Sequence, residues 1–249
     1  MSERTAVRSP VDGNTSTGLL KLIALVSMFC DHAGKMLLSG VPEMRVLGRL
    51  AFPLYCWCLV VGASHTRSMP KYALRMLLVG VISQPLYMIA LNHTWQEPDI
   101  FLTLLAALLG LWGLKERRWL SQVWAPPLAL ALSVVLNCNY GWKGVLFVFL
   151  LWAVRDRRTG IAAVMLAYCL FWGSGSSAVT KFFFIPLDFA WMGTLRGLVT
   201  PWCRLQALAI LALPLILWRC PWRVRLPKWA GYALYPAHLV LLWLLEQIF

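Results

Sequence analysis

The chain has 249 residues, of which 60% are hydrophobic and only 13% charged, and its formal net charge is +13. Soluble domains carry about 25% charged residues, so the composition excludes an ordinary soluble protein and favours a helical membrane protein. The apolar runs are too long and too continuous for the alternating strands of an outer-membrane barrel. The basic residues lie in short loops between these runs, as the positive-inside rule requires, so no nucleic-acid partner is expected.

Nine apolar segments approach the roughly 20 residues that a helix needs to cross a bilayer. We expect a polar cytoplasmic tail over 1–17 and a single transmembrane domain over 18–249. The predicted spans, in chain order, are Leu19–Ser39, Val46–Ala63, Tyr72–Leu91, Ile100–Leu114, Val123–Leu136, Tyr140–Val154, Gly160–Gly173, Leu205–Trp218 and Ala230–Ile248. The sequence therefore predicts an all-α, polytopic helical bundle.

One further segment, from 182 to 197, is apolar but contains Pro186, Asp188 and Arg196. Counting it as a full span would place the basic loop that follows Trp218 outside the cell, against the positive-inside rule. We therefore expect this segment to be re-entrant or interfacial. The bundle then has about nine transmembrane helices, with ten as the alternative.

The charges of the connecting loops predict the orientation of the chain. Basic residues follow the second, fourth and sixth spans, whereas the only charged residues between Asn92 and Asp99 are the acids Glu97 and Asp99. Because cytoplasmic loops carry an excess of Lys and Arg, the N-terminus is expected in the cytoplasm. The seven cysteines are scattered without metal-ligand spacing, so no metal is expected.

The ionisable side chains Lys21, Asp31 and His32 lie in the first span. An Asp inside the hydrocarbon costs about 2.5 to 3.5 kcal/mol, so such groups usually face a bundle interior or a watery cavity and have a function. Lys21 and His32 are eleven residues apart, or about three turns, and so share one helix face. His32 is the candidate general base, with a helix-bridging histidine as the alternative, and Asp31 is expected to pair with a cation from another helix.

Polar residues of three other spans are candidates for the same site. Arg49 opens the second span and can reach toward Asp31, with snorkelling to the membrane surface as the alternative. Gln84 offers a donor and an acceptor in the third span, and either enters the site or bonds a neighbouring helix. His238, in the Tyr-Pro-Ala-His motif of the last span, is the second intramembrane histidine.

A basic cluster is predicted where the second and third spans meet the cytoplasm. It consists of Arg67, Lys71 and Arg75, and Lys21 begins the first span on the same side. Arg and Lys side chains in such a cluster can clamp the phosphates of a ligand. The alternative is that they only fix the topology and contact anionic lipid headgroups.

Several motifs together resemble the TraX family. They include LKLIALVSMFCDH at the first span, GRLAFPLYCW at the second, NYGWKGVL before the sixth and YALYPAHLVLLWLL at the last. The resemblance covers nearly all of the chain after its N-terminal tail. The spacing of Lys21 and His32 is also similar to an Arg-x10-His pattern in the first helix of the broader membrane acyltransferases, with Lys in place of Arg.

The resemblance implies a bacterial inner-membrane acetyltransferase with acetyl-CoA as co-substrate, because the F-plasmid member is associated with acetylation of the pilin N-terminus. The expected acceptor is a pilin-like peptide or a small amine or hydroxyl compound. The implied donor-binding residues are Lys21, Arg67, Lys71 and Arg75. The implied catalytic residues are His32, Asp31, His238, Arg49 and Gln84.

Two other functions compete with this interpretation. Intramembrane Asp, His and Arg residues also mark the pathways of proton-coupled transporters, although nine spans without an internal repeat are unusual for transporters built from duplicated halves. A non-catalytic scaffold of a pilus or conjugation system is the other alternative, and it leaves Asp31 and His32 without a purpose.

Overall fold

A computed structural model of the chain describes residues 11, 17–38, 40–182, 185–187, 190–218, 224, 227 and 230–248. The predicted all-α class is confirmed in these residues, apart from one short antiparallel hairpin. The α-helices are α1 Gly18–Met36, α2 Pro42–Gly48, α3 Ala51–His65, α4 Met69–Leu91, α5 Ile100–Glu116, α6 Ser121–Val135, α7 Gly141–Val154, α8 Arg158–Gly173, α9 Arg196–Val199, α10 Leu213–Leu217 and α11 Ala230–Ile248. Strands β1 (Lys181–Phe182) and β2 (Ile185–Pro186) pair, and 3-10 turns cover Arg118–Leu120, Ala190–Leu195, Thr200–Cys203 and Ala207–Ala212.

Helix α3 is the centre of the bundle. Its residues Phe52, Leu54 and Trp57 are almost completely buried, because other helices surround it. The ring of Phe52 stacks on Tyr140 at 3.8 Å between centroids and meets Trp172 edge-on. Burial of large apolar side chains stabilises a domain by about 1.5–3 kcal/mol each, so this helix fixes the positions of its neighbours.

Helix α2 packs against α1 at very short range. Gly34 of α1 and Gly48 of α2 lie in this contact, where an added Cβ on Gly48 would overlap the side chain of Asp31 and one on Gly34 would come within 2.7 Å of Met44. The absence of a side chain at Gly48 therefore allows α2 to approach Asp31 closely. This approach brings the basic residues of α2 to the acidic residue of α1.

The outward face of α4 is apolar. Its large exposed side chains follow a helical spacing and comprise Leu74, Leu77, Leu78, Val81, Ile82 and Ile89. Soluble monomers rarely expose a continuous apolar patch of this kind. Two helical stretches, Pro42–His65 and Met69–Leu91, are long and apolar enough to cross a membrane. The surface of α4 is thus suited to contact with lipid.

Two of the predicted spans are divided locally in the structure, and the number of membrane spans stays a prediction. The second span is interrupted at Arg49 and Leu50, whose N–H groups bond carbonyls three residues earlier, and α3 restarts with Pro53 in its first turn, where a missing N–H is tolerated. The eighth, Leu205–Trp218, is split into a 3-10 turn and α10. Pro214 cannot donate to the preceding turn, which explains this division.

The segment after α8 does not form a long helix. It contains β1, β2 and short 3-10 turns, so the expectation that 182–197 is not a full helical span agrees with its described residues. Asp188, and the predicted tail 1–17 except for Val11 and Thr17, lie outside the described residues. The placement of this segment relative to a membrane stays a prediction.

Candidate functional site

Two buried histidines from opposite ends of the sequence meet in the bundle. His32 of α1 and His238 of α11 are hydrogen-bonded, with 3.0 Å between Nδ1 of His32 and Nε2 of His238. Their rings are nearly parallel, with centroids 5.2 Å apart. When both rings are neutral, one nitrogen must donate its proton and the other must accept it. The bond therefore couples the tautomers of the two rings.

An ion-pair cluster lies next to the histidines. Arg49 donates a hydrogen bond to Oδ1 of Asp31, as the sequence predicted, and its Nη1 lies 3.4 Å from Oε1 of Gln206. Arg45 is one turn before Arg49, and its Nε lies 3.1 Å from the same oxygen of Asp31. Residues four apart share a helix face, which explains why both arginines reach one carboxylate. Asp31 makes no hydrogen bond to His32 in the described residues.

A second chain of polar contacts starts at Lys35, one turn beyond Asp31 on α1. The ammonium of Lys35 lies 2.8 Å from Nε2 of His93, and Nδ1 of His93 lies 2.8 Å from Oε2 of Glu97. A neutral His93 satisfies both contacts if Nδ1 donates and Nε2 accepts. The hydrogen bond from His93 lowers the pKa of Glu97. The His93 ring also stacks on Tyr87 at 4.9 Å.

These groups enclose a cavity of about 330 Å³, which we call the histidine chamber. Four of its lining side chains carry a formal charge, namely Asp31, Lys35, Arg45 and Arg49. The other polar and aromatic lining residues are His32, Tyr87, His93, Asn139, Tyr140, Trp172, Gln206 and Tyr235. The chamber is therefore a polar, charged space inside an apolar bundle.

A larger cavity of about 640 Å³ lies at the other end of the same helices, and we call it the Lys21 chamber. Among the described residues, Lys21 and Arg75 are the charged ones that line it, and the rest of the described wall is mainly apolar or aromatic, including Leu25, Tyr55 and Phe101. Along α1, α3 and α4 the two chambers occupy opposite helix ends. Ligand pockets usually measure about 300–1,000 Å³, so either chamber can hold an organic molecule.

Tyr235 is the one described residue that lines both chambers. Its side chain is only 2% exposed. Its ring meets His238 at 5.0 Å and Phe101 at 4.8 Å, edge-on in both cases. Tyr235 therefore lies between the Lys21 chamber and the histidine chamber, and we call its side chain the septum.

The structure brings together most of the residues predicted for the site. Asp31, His32 and Arg49 line the histidine chamber, and His238 lies directly behind His32. Lys21 lines the Lys21 chamber together with Arg75, at the end where it was expected. Arg67 and Lys71 are exposed at the same end of the bundle but do not line this chamber. Their role in donor binding stays a prediction.

Gln84 occupies a different environment from the one predicted. It lines neither chamber, and its amide is bonded by backbone, since Nε2 donates to the carbonyl of Glu97 and Oε1 accepts from the N–H of Asp99. Gln84 thus ties α4 to the loop before α5. Its geometry gives no support to a catalytic role, and the structural alternative fits it better.

Asp99 begins α5 and is buried beside Gln84. Its Oδ1 accepts a hydrogen bond of 3.0 Å from the N–H of Phe101, which is the usual contact of a helix N-cap. Oδ2 is buried without a hydrogen-bond partner in the described residues. Burial raises the pKa of Asp99 to about 7, so this carboxyl titrates near neutrality.

Several residues of the site were missed by the sequence interpretation. Lys35, Arg45, His93 and Gln206 were not among the residues predicted for the site, although Lys35 lies in the first predicted span and Gln206 in the eighth. Lys35 and His93 are 58 residues apart in the sequence, and Arg49 and Gln206 are 157 residues apart. Contacts over such separations leave no local signal in the sequence. Tyr235 belongs to the Tyr-Pro-Ala-His motif of the last span. Because it lies three residues before His238, both residues share one helix face, and this spacing was the available signal.

A sequence profile described as "TraX protein" matches residues 16–246. A probable fimbrial assembly protein, FimC of serogroup H1 from Dichelobacter nodosus, is 36% identical over 164 residues, or 59% of this chain and 66% of that protein. The uncharacterized protein RP591 of Rickettsia prowazekii (strain Madrid E) is 35% identical over 66 residues, or 26% of this chain and 25% of the relative. The chain thus spans less than two thirds of either relative. No solved structure matches significantly.

Proposed function

Because the chain belongs to the TraX family, we propose that it is a multi-pass inner-membrane acetyltransferase whose two substrates meet at Tyr235. The observation that carries this proposal is the pair of chambers at opposite helix ends with one shared wall residue. A donor and an acceptor from opposite sides of a membrane need such an arrangement. Catalysis then requires that reacting atoms be held close and oriented.

The exterior of the bundle supports the membrane location. The apolar outward face of α4 and the length of the Pro42–His65 and Met69–Leu91 stretches suit a hydrocarbon environment. In the orientation given by the loop charges, the Lys21 chamber opens to the cytoplasm and the histidine chamber to the outside. Nine spans with a cytoplasmic N-terminus complete this topology.

The Lys21 chamber is suited to acetyl-CoA. Lys21 and Arg75 provide positive charge for phosphates, and the remaining wall is apolar enough for the acyl end of the donor. The volume of about 640 Å³ lies within the usual range for ligand pockets. We place the thioester beside Tyr235, where the chamber approaches the histidine pair.

The histidine pair supplies a general base. If Nδ1–H of His32 donates to Nε2 of His238, Nε2 of His32 keeps a lone pair that can take a proton from the acceptor amine. The amine nitrogen attacks the acetyl carbonyl, the C–S bond breaks, and the coenzyme leaves as a thiolate that is protonated through His32. A route through an acetylated His32 gives the same products.

The acceptor in this proposal is an amine of a pilin-like peptide. The name of the Dichelobacter relative refers to fimbrial assembly, which supports an exported fimbrial or pilin substrate, although small amines and hydroxyl compounds fit the same chemistry. Asp31 and Gln206 hold the guanidinium of Arg49 in place. The role of Arg49 is therefore to present its own positive charge to the reacting carbonyl. Such a fixed charge stabilises a developing oxyanion.

Release of free thiol tests the proposal. Purified protein in detergent or nanodiscs should release coenzyme A from acetyl-CoA when a peptide with a free N-terminal amine is added, and mass spectrometry should find the peptide heavier by one acetyl group. The peptide with a blocked N-terminus is the matched control. Absence of both signals, in protein that binds acetyl-CoA, would reject the enzyme and favour a scaffold.

The two chambers also fit a proton-coupled transporter, because a transporter exposes a central site to each side in turn. The charged lining of the histidine chamber is what favours this alternative. A transporter moves its substrate unchanged and releases no thiol. Uptake by proteoliposomes without thiol release would therefore support transport over acetyl transfer.

A further inference from the structure

The charges of the histidine chamber are not balanced. Three of its lining side chains are cations, Lys35, Arg45 and Arg49, and one, Asp31, is an anion. Asp31 holds Arg49 through a hydrogen bond. Lys35 is linked through His93 to the carboxylate of Glu97. Arg45 and Arg49 therefore share the single carboxylate of Asp31, which leaves an excess of positive charge among the described lining residues.

The Nε atom of Arg45 has no hydrogen-bond partner among the described residues. It is buried and lies 3.1 Å from Oδ1 of Asp31 in an ion pair, but it is not aligned for a hydrogen bond. The side chain is 33% exposed and lines the chamber. A guanidinium has five N–H donors in a fork that matches a carboxylate or a phosphate. Within the described part of the chain, the donors of Arg45 are thus not used up by its ion pair with Asp31 and face the chamber.

A purely structural role explains this arrangement less well. If the only task of Arg45 were to neutralise Asp31, Arg49 would already perform it with a direct hydrogen bond. Gly48 keeps α2 close to α1, so Arg45 is held at the chamber. The buried and unpaired Nε of Arg45 costs free energy. A ligand anion that accepts from Nε and a neighbouring Nη would reduce that cost.

We propose that the histidine chamber binds acceptors that carry an anionic group, a carboxylate or a phosphate, near the reacting amine, and that Arg45 binds this group. The inference rests on the proposed function, whose acceptor it describes more closely. His32 then faces the amine while Arg45 fixes the neighbouring anion. A contact to the amine and a contact to the anionic group together orient a small acceptor and also strengthen its binding.

Two dipeptide amides that differ only in one carboxylate test the proposal. They are Ala-Glu amide and Ala-Gln amide, offered to purified protein in nanodiscs of neutral phosphatidylcholine. Binding is measured by calorimetry without a donor, and acetylation is measured separately with acetyl-CoA. The wild-type protein should bind Ala-Glu amide about tenfold more tightly, which corresponds to about 1.4 kcal/mol. Equal binding of both peptides by the wild type would overturn the inference.

The variant Arg45→Gln should bind the two peptides with affinities within about twofold of each other, because a neutral amide cannot replace the charged fork. Arg155→Gln, which changes an arginine that packs on Trp152 away from both chambers, should keep the wild-type preference. Arg45→Lys, which keeps the charge but not the fork, should retain part of it. A preference unchanged in both Arg45 variants would assign the anion to another group and overturn the role of Arg45.

Anionic lipid is the other source of the same chemistry. In nanodiscs of phosphatidylglycerol, binding of Ala-Glu amide should be unchanged if the chamber serves a soluble acceptor. A loss of binding in the wild type but not in Arg45→Gln would mean that a lipid headgroup occupies Arg45, which overturns the acceptor assignment. Because binding is measured without a donor, failure of acetyl transfer rejects the proposed function without deciding the charge preference.

Discussion

His32 and His238 are separated by 206 residues of sequence, yet their ring nitrogens are 3.0 Å apart and their planes differ by only 10°. The first and last described long helices, α1 and α11, therefore meet at a buried polar contact. It makes the pair the natural starting point for mutational tests.

The histidine pair should behave as a unit in a double-mutant cycle. His32→Ala removes the proposed general base and should lower acetyl transfer by about 10²–10⁴-fold. His238→Ala should lower it less, because His32 keeps its place but loses its tautomer partner. The double variant should be no worse than His32→Ala, since residues that act together give non-additive losses. Rates within about threefold of wild type in His32→Ala, far from the loss expected of a general base, would remove His32 from the mechanism.

Acetyl-CoA binding separates a catalytic loss from a failure to fold. His32→Ala should bind acetyl-CoA with wild-type affinity, because the Lys21 chamber does not include His32. Calorimetry on detergent-solubilised protein measures this directly. A variant that loses the donor along with activity would instead point to a histidine that only bridges α1 and α11.

The septum at Tyr235 should keep acetyl transfer coupled to the acceptor. Tyr235→Ala joins the two chambers and admits water to the thioester, so thiol release without any acceptor should rise about tenfold. Tyr235→Phe keeps the ring and removes only the hydroxyl, and it should remain coupled like the wild type. The measurement is the ratio of peptide acetylated to thiol released, and an unchanged ratio in Tyr235→Ala contradicts the septum.

Arg75 should contribute more to donor binding than Arg67. Arg75 lines the Lys21 chamber, whereas Arg67 is exposed outside it. Arg75→Ala should weaken acetyl-CoA binding by about 1–3 kcal/mol, the range for a charged hydrogen bond, while Arg67→Ala should change it by less than about 0.5 kcal/mol. Equal losses would extend the phosphate site along the surface to Arg67, as the sequence alone predicted.

The buried carboxyl of Asp99 should make stability depend on pH. Its pKa is raised by burial to about 7, against about 3.9 in an unfolded chain, so the folded state binds this proton more tightly. The contribution of Asp99 to stability is therefore present at low pH and is lost as the pH rises from about 4 to 7. Asp99→Asn keeps an N-cap and should remove that part of the decrease in Tm between about pH 5 and 7.5.

The matched control for this prediction is Asp156→Asn, which changes an acid whose side chain is 60% exposed. It should leave the pH dependence of Tm as in the wild type. If Asp99→Asn also leaves the pH dependence of Tm unchanged, the prediction is wrong. The carboxyl of Asp99 is then ionised at neutral pH in the folded protein, and its Oδ2 atom is hydrogen-bonded, for example to water.

The sequence was informative where the signal was local. Continuous apolar runs predicted α1, α4, α5 and α11 to within a few residues, and the cost of an intramembrane carboxylate predicted the partner that Asp31 finds in Arg49. The interruption at Arg49 and Leu50 was not predicted, because the predicted second span runs through both residues.

The rest of the site depends on tertiary contacts. Gln84 looked like a site residue because an amide in an apolar span needs partners, and it found them in the backbone of the adjoining loop. His93 looked like an ordinary loop residue, yet the loop folds back so that its ring joins Lys35 to Glu97. A shared wall such as Tyr235 is a property of two cavities, and spacing along one helix cannot reveal it.

The two chambers on either side of the Tyr235 septum offer separate exits for the products as well as separate entrances for the substrates. Under the proposed function, coenzyme A can leave only through the Lys21 chamber, and the acetylated acceptor only through the histidine chamber. Neither product blocks the departure of the other, so their order of release is not fixed by the fold. Coenzyme A should then compete only with acetyl-CoA, and the acetylated peptide only with the free peptide. A cell could therefore saturate one chamber with its product without slowing the exchange of ligands in the other chamber.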